Sequence, residues 1–206
     1  MNNMNRGMRL FLILFFMMLI VSCGRSKESQ YYVLNPIPCK HSQQKPVFHH
    51  LRIGIDRIKI PGYLEKPQLS FYCTSNQVHL EENHQWAEAL KDNIMRVLQT
   101  NLSTLLPGAI IEVEPWNRRF VPEYTLQVMI SEYKLDIGGK SELRAEYLIY
   151  HHEQTVKKQS ICYCTKLSKV SPQTLVSSMN HQLTQLSHEI SQFFIQSADK
   201  EKVSPR

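Results

Sequence analysis

The chain has 206 residues and a formal net charge of +6, from 24 Lys and Arg against 18 Asp and Glu. Removing Arg6 and Arg9 with the leader described below leaves 22 basic against 18 acidic side chains, a surplus of +4 that is too small and too scattered for a nucleic-acid binder. Seven glycines and the lack of any phosphate-cradling motif exclude a nucleotide loop, and the 184 residues after the leader suit one domain with a real core.

Leu10 to Val21 is an unbroken apolar run of 12 residues, preceded by Arg6 and Arg9 and followed by Ser22-Cys23. As a helix it would be about 18 Å long, too short for a hydrocarbon core of about 30 Å, so residues 1–22 read as an export signal. Ile20-Val21-Ser22-Cys23 is similar to a lipobox, with isoleucine where leucine is commoner. It predicts cleavage before Cys23 and a diacylglycerol plus an N-acyl chain on that cysteine, with no other cofactor. Gly24, where an inner-membrane retention signal has aspartate, favours the outer membrane over the inner, on the periplasmic side. Residues 23–30 then form the lipidated cysteine and a polar tether, whose seven residues reach at most about 25 Å.

The folded domain is expected over residues 31–197. Tyr31 to Leu34 predicts a short strand ended by Asn35-Pro36. Leu51, Ile53 and Ile55 alternate with Arg52, Gly54 and Asp56 as in a half-buried strand, and Ile58 and Ile60 change parity, which predicts a bulge near Arg57. Pro61-Gly62 ends that strand, and Gln68–Cys73 and Gln77–Leu80 read as a hairpin around Thr74-Ser75-Asn76. Glu81, Glu82 and Asn83 as cap predict a helix carrying Trp86, Leu90, Ile94, Val97, Leu98 and Leu105, with Asp92 and Arg96 paired on its wet side and Pro107-Gly108 as its stop. Ala109 to Glu114 is a further strand. Tyr124 onward alternates through three strands turned at Gly138-Gly139 and near Glu153, an antiparallel meander. Ser171-Pro172 starts the longest helix, with Val176, Met179, Leu183, Leu186, Ile190 and Phe193 as a stripe too short for a coiled coil and therefore read as packing on the sheet. Residues 198–206 read as a charged, disordered tail. The expected class is α+β, a mainly antiparallel sheet packed by two amphipathic helices.

Cys39, Cys73, Cys162 and Cys164 permit three disulfide connectivities in an oxidising compartment. Cys162 and Cys164 lie two apart in a strand, with Cα atoms about 6.7 Å apart, the limit for a bridge, which argues against their pairing with each other. No second pair or histidine at ligand spacing completes a metal site, so none is expected. His49-His50 and His151-His152 are neighbours in strands and point to opposite faces, which suits surface positions better than chelation. No Gly-x-Ser-x-Gly elbow or other nucleophile arrangement appears, so no catalytic residues are expected.

Tyr32-Val33-Leu34, the stretch Ile58-Lys59-Ile60-Pro61-Gly62-Tyr63-Leu64-Glu65-Lys66-Pro67-Gln68, and Trp86-Ala87-Glu88-Ala89-Leu90 occur in that order between the lipobox and the closing helix. In this the chain resembles the ABC-type transport auxiliary lipoproteins, the family of paraquat-inducible protein C, over nearly all of residues 31–196. Glu65-Lys66 keep the family's acidic-then-basic order, while Pro67 and the cysteines depart from its pattern. The resemblance implies a non-enzymatic periplasmic domain that docks on mammalian-cell-entry (MCE) proteins, which carry lipids between the two membranes. It leaves open whether the chain forms a homo-oligomer. Tyr63, Leu64 and Trp86 are the candidate partner-interface residues, with a core role the stronger reading for Trp86. Two alternatives stand beside this reading: a scaffold or assembly lipoprotein of another envelope complex, and a periplasmic thiol or hydrolytic enzyme using Cys162, Cys164 or a histidine.

Overall fold

The computed structural model describes residues 7, 8, 11, 27–38 and 48–203, with side chains through 198. Leu10 to Val21 apart from Phe11, together with Cys23, Gly24 to Ser26, Cys39 and the last three residues, lie outside them. The chain runs β1 (Gln30–Tyr32), β2 (Arg52–Lys59), a 3-10 turn (Gly62–Glu65), β3 (Gln68–Thr74), β4 (Gln77–Trp86), α1 (Leu90–Leu105), β5 (Ile110–Val113), β6 (Tyr124–Leu135), β7 (Lys140–His151), β8 (Gln154–Lys166) and α2 (Pro172–Val203). Among the described residues, no helix is long and apolar enough to cross a membrane.

The α+β class holds, but the single, mainly antiparallel sheet expected from the alternation is two mixed sheets. The larger has the order β5-β2-β6-β7-β8 and the smaller β1-β4-β3. β5, β2 and β6 are parallel neighbours, while β6, β7 and β8 form the expected antiparallel meander. The parallel pairs escape sequence reading because alternation gives the face of a strand and not the direction of its neighbour. β2 shows its register shift between Ile55 and Arg57, as the parity change predicts, and Ile53, Ile55 and Ile58 are all buried.

One face of the larger sheet carries the helices. Leu143, Ala145, Tyr147 and Ile149 of β7 meet Val176, Met179, Leu183, Leu186 and Ile190 of α2 in one core, to which α1 adds Leu90, Ile94, Val97, Leu98 and Leu102. α2 therefore packs on its own sheet and on α1. It is capped as expected, Ser171 Oγ accepting the Thr174 N–H at 3.2 Å. Its helical backbone continues to Val203, past Ala198, where the charged tail was expected to begin. The last member of its buried stripe is Phe194 and not Phe193, since 3.6 residues per turn drifts from a 3.5-residue repeat over five turns.

The first helix starts later than predicted. Glu81 to Trp86 continue β4, because β1 and β3 pair on either side and the Trp86 N–H donates to Pro67 O at 2.7 Å. Asn83 caps nothing there; α1 begins at Leu90 after Ala89, with no side-chain cap. Trp86 stands four residues before Leu90, so its helical spacing was real while its element was a strand. Leu105 is half-buried and Leu102 and Leu106 take the core positions. Arg96 pairs with Glu88 at 2.5 Å, across the turn into α1, in place of Asp92.

Two glycines are fixed by space and backbone. A Cβ on Gly54 would lie 2.8 Å from the Trp116 ring, which folds over β2 with Phe120, while Arg52 sits 5.0 Å from the Phe120 ring centre. Gly139 turns β6 into β7 at φ +85°, and a Cβ there would strike Leu167 O.

Candidate functional site

The three motifs that are distant in sequence converge on the smaller sheet. β1 places Tyr32 opposite Trp86 and Tyr31 opposite Gln85, and β3 brings Gln68 to the other side of Gln85. Tyr31 and the end of the Pro61–Gln68 segment therefore stand level, about 10 Å apart across β4. The Ala87 N–H donates to Tyr32 O at 2.9 Å, closing the same corner.

Within that corner the sequence-predicted interface residues divide. Leu64 and Trp86 are core residues, 4% and 6% exposed. Tyr63 is half-buried: its ring meets Tyr72 edge-on at 5.7 Å and its hydroxyl accepts the Tyr133 N–H at 3.3 Å, which ties the 3-10 turn to both sheets. Burial pushes its hydroxyl well above the ordinary tyrosine range. The exposed residues of the segment are Gly62, Glu65, Lys66 and Pro67. Sequence reasoning missed two more on the same sheet. Tyr31, at 65% exposed, and Val33, at 37%, are apolar groups held in water at the start of the domain. Their cue was that Tyr31 and Val33 alternate with Tyr32 and Leu34, so one of the two faces had to be open.

The segment after β1 is strapped to the helices by asparagines. The Leu34 N–H donates to Asn93 Oδ1 at 2.6 Å, and Asn93 Nδ2 donates back to Leu34 O at 3.1 Å. The Asn35 N–H reaches Asn180 Oδ1 at 2.8 Å and the Ile37 N–H reaches Asn101 Oδ1 at 2.7 Å, while Asn101 Nδ2 donates to Ser187 Oγ at 2.9 Å. Asn93 and Asn101 are fully buried, at positions 93, 97 and 101 of one helix face with Val97 between them. Among the described residues the segment has no strand partner beyond Tyr32, so side chains supply what a ladder would.

The open face of the larger sheet is a charged lattice. Glu142, 1% exposed, receives Lys140 Nζ at 2.6 Å and Arg144 Nε at 2.5 Å; these cations, Lys140 foremost, hold its carboxyl down to about 2 against the opposing effect of burial. Arg144 also reaches Glu132 at 3.3 Å, and Lys134 pairs with the same carboxylate at 2.8 Å. Cys162 and Cys164 project onto this face from β8 as free thiols with Sγ atoms 3.7 Å apart, and Cys73 is free as well. Burial, then Cys164, pushes the Cys162 thiol up. The histidine pairs lie at another corner and are not neighbours within strands: His49 and His50 form an exposed turn, His152 lies in the β7–β8 turn, and the His151 ring, stacked on Tyr124 at 4.7 Å, is 4.2 Å from that of His152, so this pair does not point to opposite faces.

A domain with two mixed sheets, two long helices and a motif-bearing corner next to its N-terminal strap matches a known family. Residues 32–191 match the model of the ABC-type transport auxiliary lipoprotein component, and the chain belongs to that family. Among characterised relatives it is similar to the intermembrane transport lipoprotein PqiC of Escherichia coli K12 and to that of Shigella flexneri. Each is 22% identical over 151 residues, covering 73% of this chain and 79% of the relative. Two crystal structures share the fold. An uncharacterised protein superposes with a TM-score of 0.67 at 21% identity, covering 82% of this chain and 99% of the other. A protein from Xanthomonas campestris gives 0.64 at 12%, covering 85% and 100%.

Proposed function

We propose that the mature chain is a periplasmic accessory lipoprotein, held by lipid on Cys23 at the outer membrane, that docks on the MCE-domain protein of a lipid-transport system working between the two membranes. It performs no catalysis. The observation that carries this reading is the convergence of the family motifs on one corner of the smaller sheet. That corner opens immediately after the tether and presents Tyr31, Val33, Glu65 and Lys66 outward. With six residues between Cys23 and β1, the corner stays within about 25 Å of the bilayer, where a conduit arriving at that membrane would meet it. The relatives named as intermembrane transport lipoproteins support the same assignment.

Tyr63, Leu64 and Trp86 act in this scheme as the buried frame that holds the docking corner in shape, and the exposed residues make the contact. The test is purification from cells in mild detergent. The wild type brings down an MCE-domain protein with its permease; capture of a different envelope complex, with no MCE protein, supports the scaffold reading instead. In parallel, Cys23→Ser releases a folded domain from washed membranes, and retention of that variant on the membrane would refute the lipid anchor.

A further inference from the structure

On the open face of the larger sheet, β7 sets Glu142 opposite Cys164 and Arg144 opposite Cys162. The Glu142 carboxylate and the two thiols have ligand atoms all within 4.8 Å of one another, the carboxylate buried and the thiols exposed. The two Sγ atoms are 3.7 Å apart and Glu142 Oε1 lies 3.6 Å from Cys162 Sγ.

These distances select among the chemistries open to two neighbouring thiols. A disulfide needs its sulfurs at about 2.05 Å, and residues two apart on a strand sit at the outer limit of Cα separation for it. A tetrahedral zinc-class ion, at about 2.3 Å from each sulfur, sets its thiolates about 3.8 Å apart; with a carboxylate oxygen at about 2.1 Å, it sets oxygen and sulfur about 3.6 Å apart. The 3.7 and 3.6 Å spacings are compatible with such a metal and too long for the bridge. Lys140 and Arg144 complete the arrangement, because each donates to one Glu142 oxygen and fixes the carboxylate as outer-shell donors do for ligating groups. They also offset the negative charge that two thiolates and a carboxylate would gather around one divalent ion.

From this geometry we infer that Glu142, Cys162 and Cys164 form a binding site for a thiophilic divalent cation of the zinc class, with three protein ligands and a fourth position open to water. On binding, the two thiol protons pass to solvent and two metal–sulfur bonds take their place, with no change of oxidation state. Its test does not depend on any partner.

The experiment uses the mature, lipidated protein in detergent, reduced, with Cys39→Ser and Cys73→Ser, so that with the Cys23 sulfur held in its thioether one thiol pair remains. Titration with cadmium develops the thiolate charge-transfer band in the ultraviolet, saturating at one equivalent, and added zinc abolishes it. Cys162→Ser or Cys164→Ser at least halves the band and weakens the affinity, and because these side chains are exposed the circular dichroism is unchanged. Glu142→Gln weakens the affinity at least tenfold. A titration with no saturable band, a band indifferent to the loss of Cys162, or full oxidation of the pair to a mutual disulfide in metal-supplemented, unreduced protein overturns the assignment.

Discussion

Replacing Asn93 with leucine tests whether the strap, and not the short β1 ladder, holds the tethered end of the domain. The substitution keeps the branching and heavy-atom count of the side chain and leaves no cavity, but it removes both bonds to Leu34, at 2.6 and 3.1 Å. Leu34 is fully buried, so water cannot replace them. A buried donor or acceptor left unpaired costs about 1–3 kcal/mol, which sets the loss for the pair at roughly 2–6 kcal/mol. Peeling of residues 33–38 away from α1 relieves part of this, giving an expected loss of about 3 kcal/mol. At roughly 2–4 °C per kcal/mol for a domain of this size, the melting temperature falls by about 6–12 °C. Hydrogen exchange locates the effect, with the Leu34, Asn35 and Ile37 amides losing protection before those of β7. Asn180→Ala, whose bond to Asn35 is exposed, is the control and costs under about 1 kcal/mol. An N93L variant that melts within a degree of wild type and keeps Leu34 protected would refute the reasoning.

Three further substitutions separate frame from contact. Leu64→Ala truncates a core residue that is 4% exposed and costs about 2–5 kcal/mol in chemical denaturation, whereas the charge reversals Glu65→Lys and Lys66→Glu move stability by less than about 0.5 kcal/mol while abolishing copurification with the MCE protein. Equal destabilisation by both kinds of change would make the whole segment structural. Gly54→Val forces the Trp116 ring off β2, at a cost of about 1–3 kcal/mol, and shifts tryptophan emission toward that of a solvated indole; unchanged emission would contradict the close approach.

The parts of the fold that could be read from the sequence are those where a single period decides the answer. The β2 parity change at Arg57, the β6 to β8 meander, and the Ser171-Pro172 cap all rest on side chains within a few residues of one another. What the sequence could not supply depended on partners distant in the chain. Glu81 to Trp86 look like a helix start, with two acids and an asparagine, until β1 and β3 are known to flank them; the ladder then outweighs the propensity. Nothing local marks Asn93 and Asn101, since the segment they bind lies 59 and 64 residues earlier. Of the candidate interface residues, Leu64 and Trp86 are buried and Tyr63 is half-buried, so the exposed positions of that corner are others. Leu64 and Trp86 carry the motif because they pack, while the exposed Tyr31 and Val33 were hidden in an alternation whose open face only the sheet order reveals. Cys162 and Cys164 carry free thiols with Sγ atoms 3.7 Å apart. The third member of their cluster, Glu142, is on a different strand, and only the β7–β8 register brings it alongside.

The docking assignment is tested most directly by a photo-crosslinking amino acid placed at Lys66 in the full-length protein and activated in intact cells. The account predicts a single major adduct containing an MCE-domain protein, lost when the crosslinker is moved to the solvated turn at Glu153 on the far end of the larger sheet. Adducts at position 66 that contain other envelope proteins and no MCE-domain protein would contradict it.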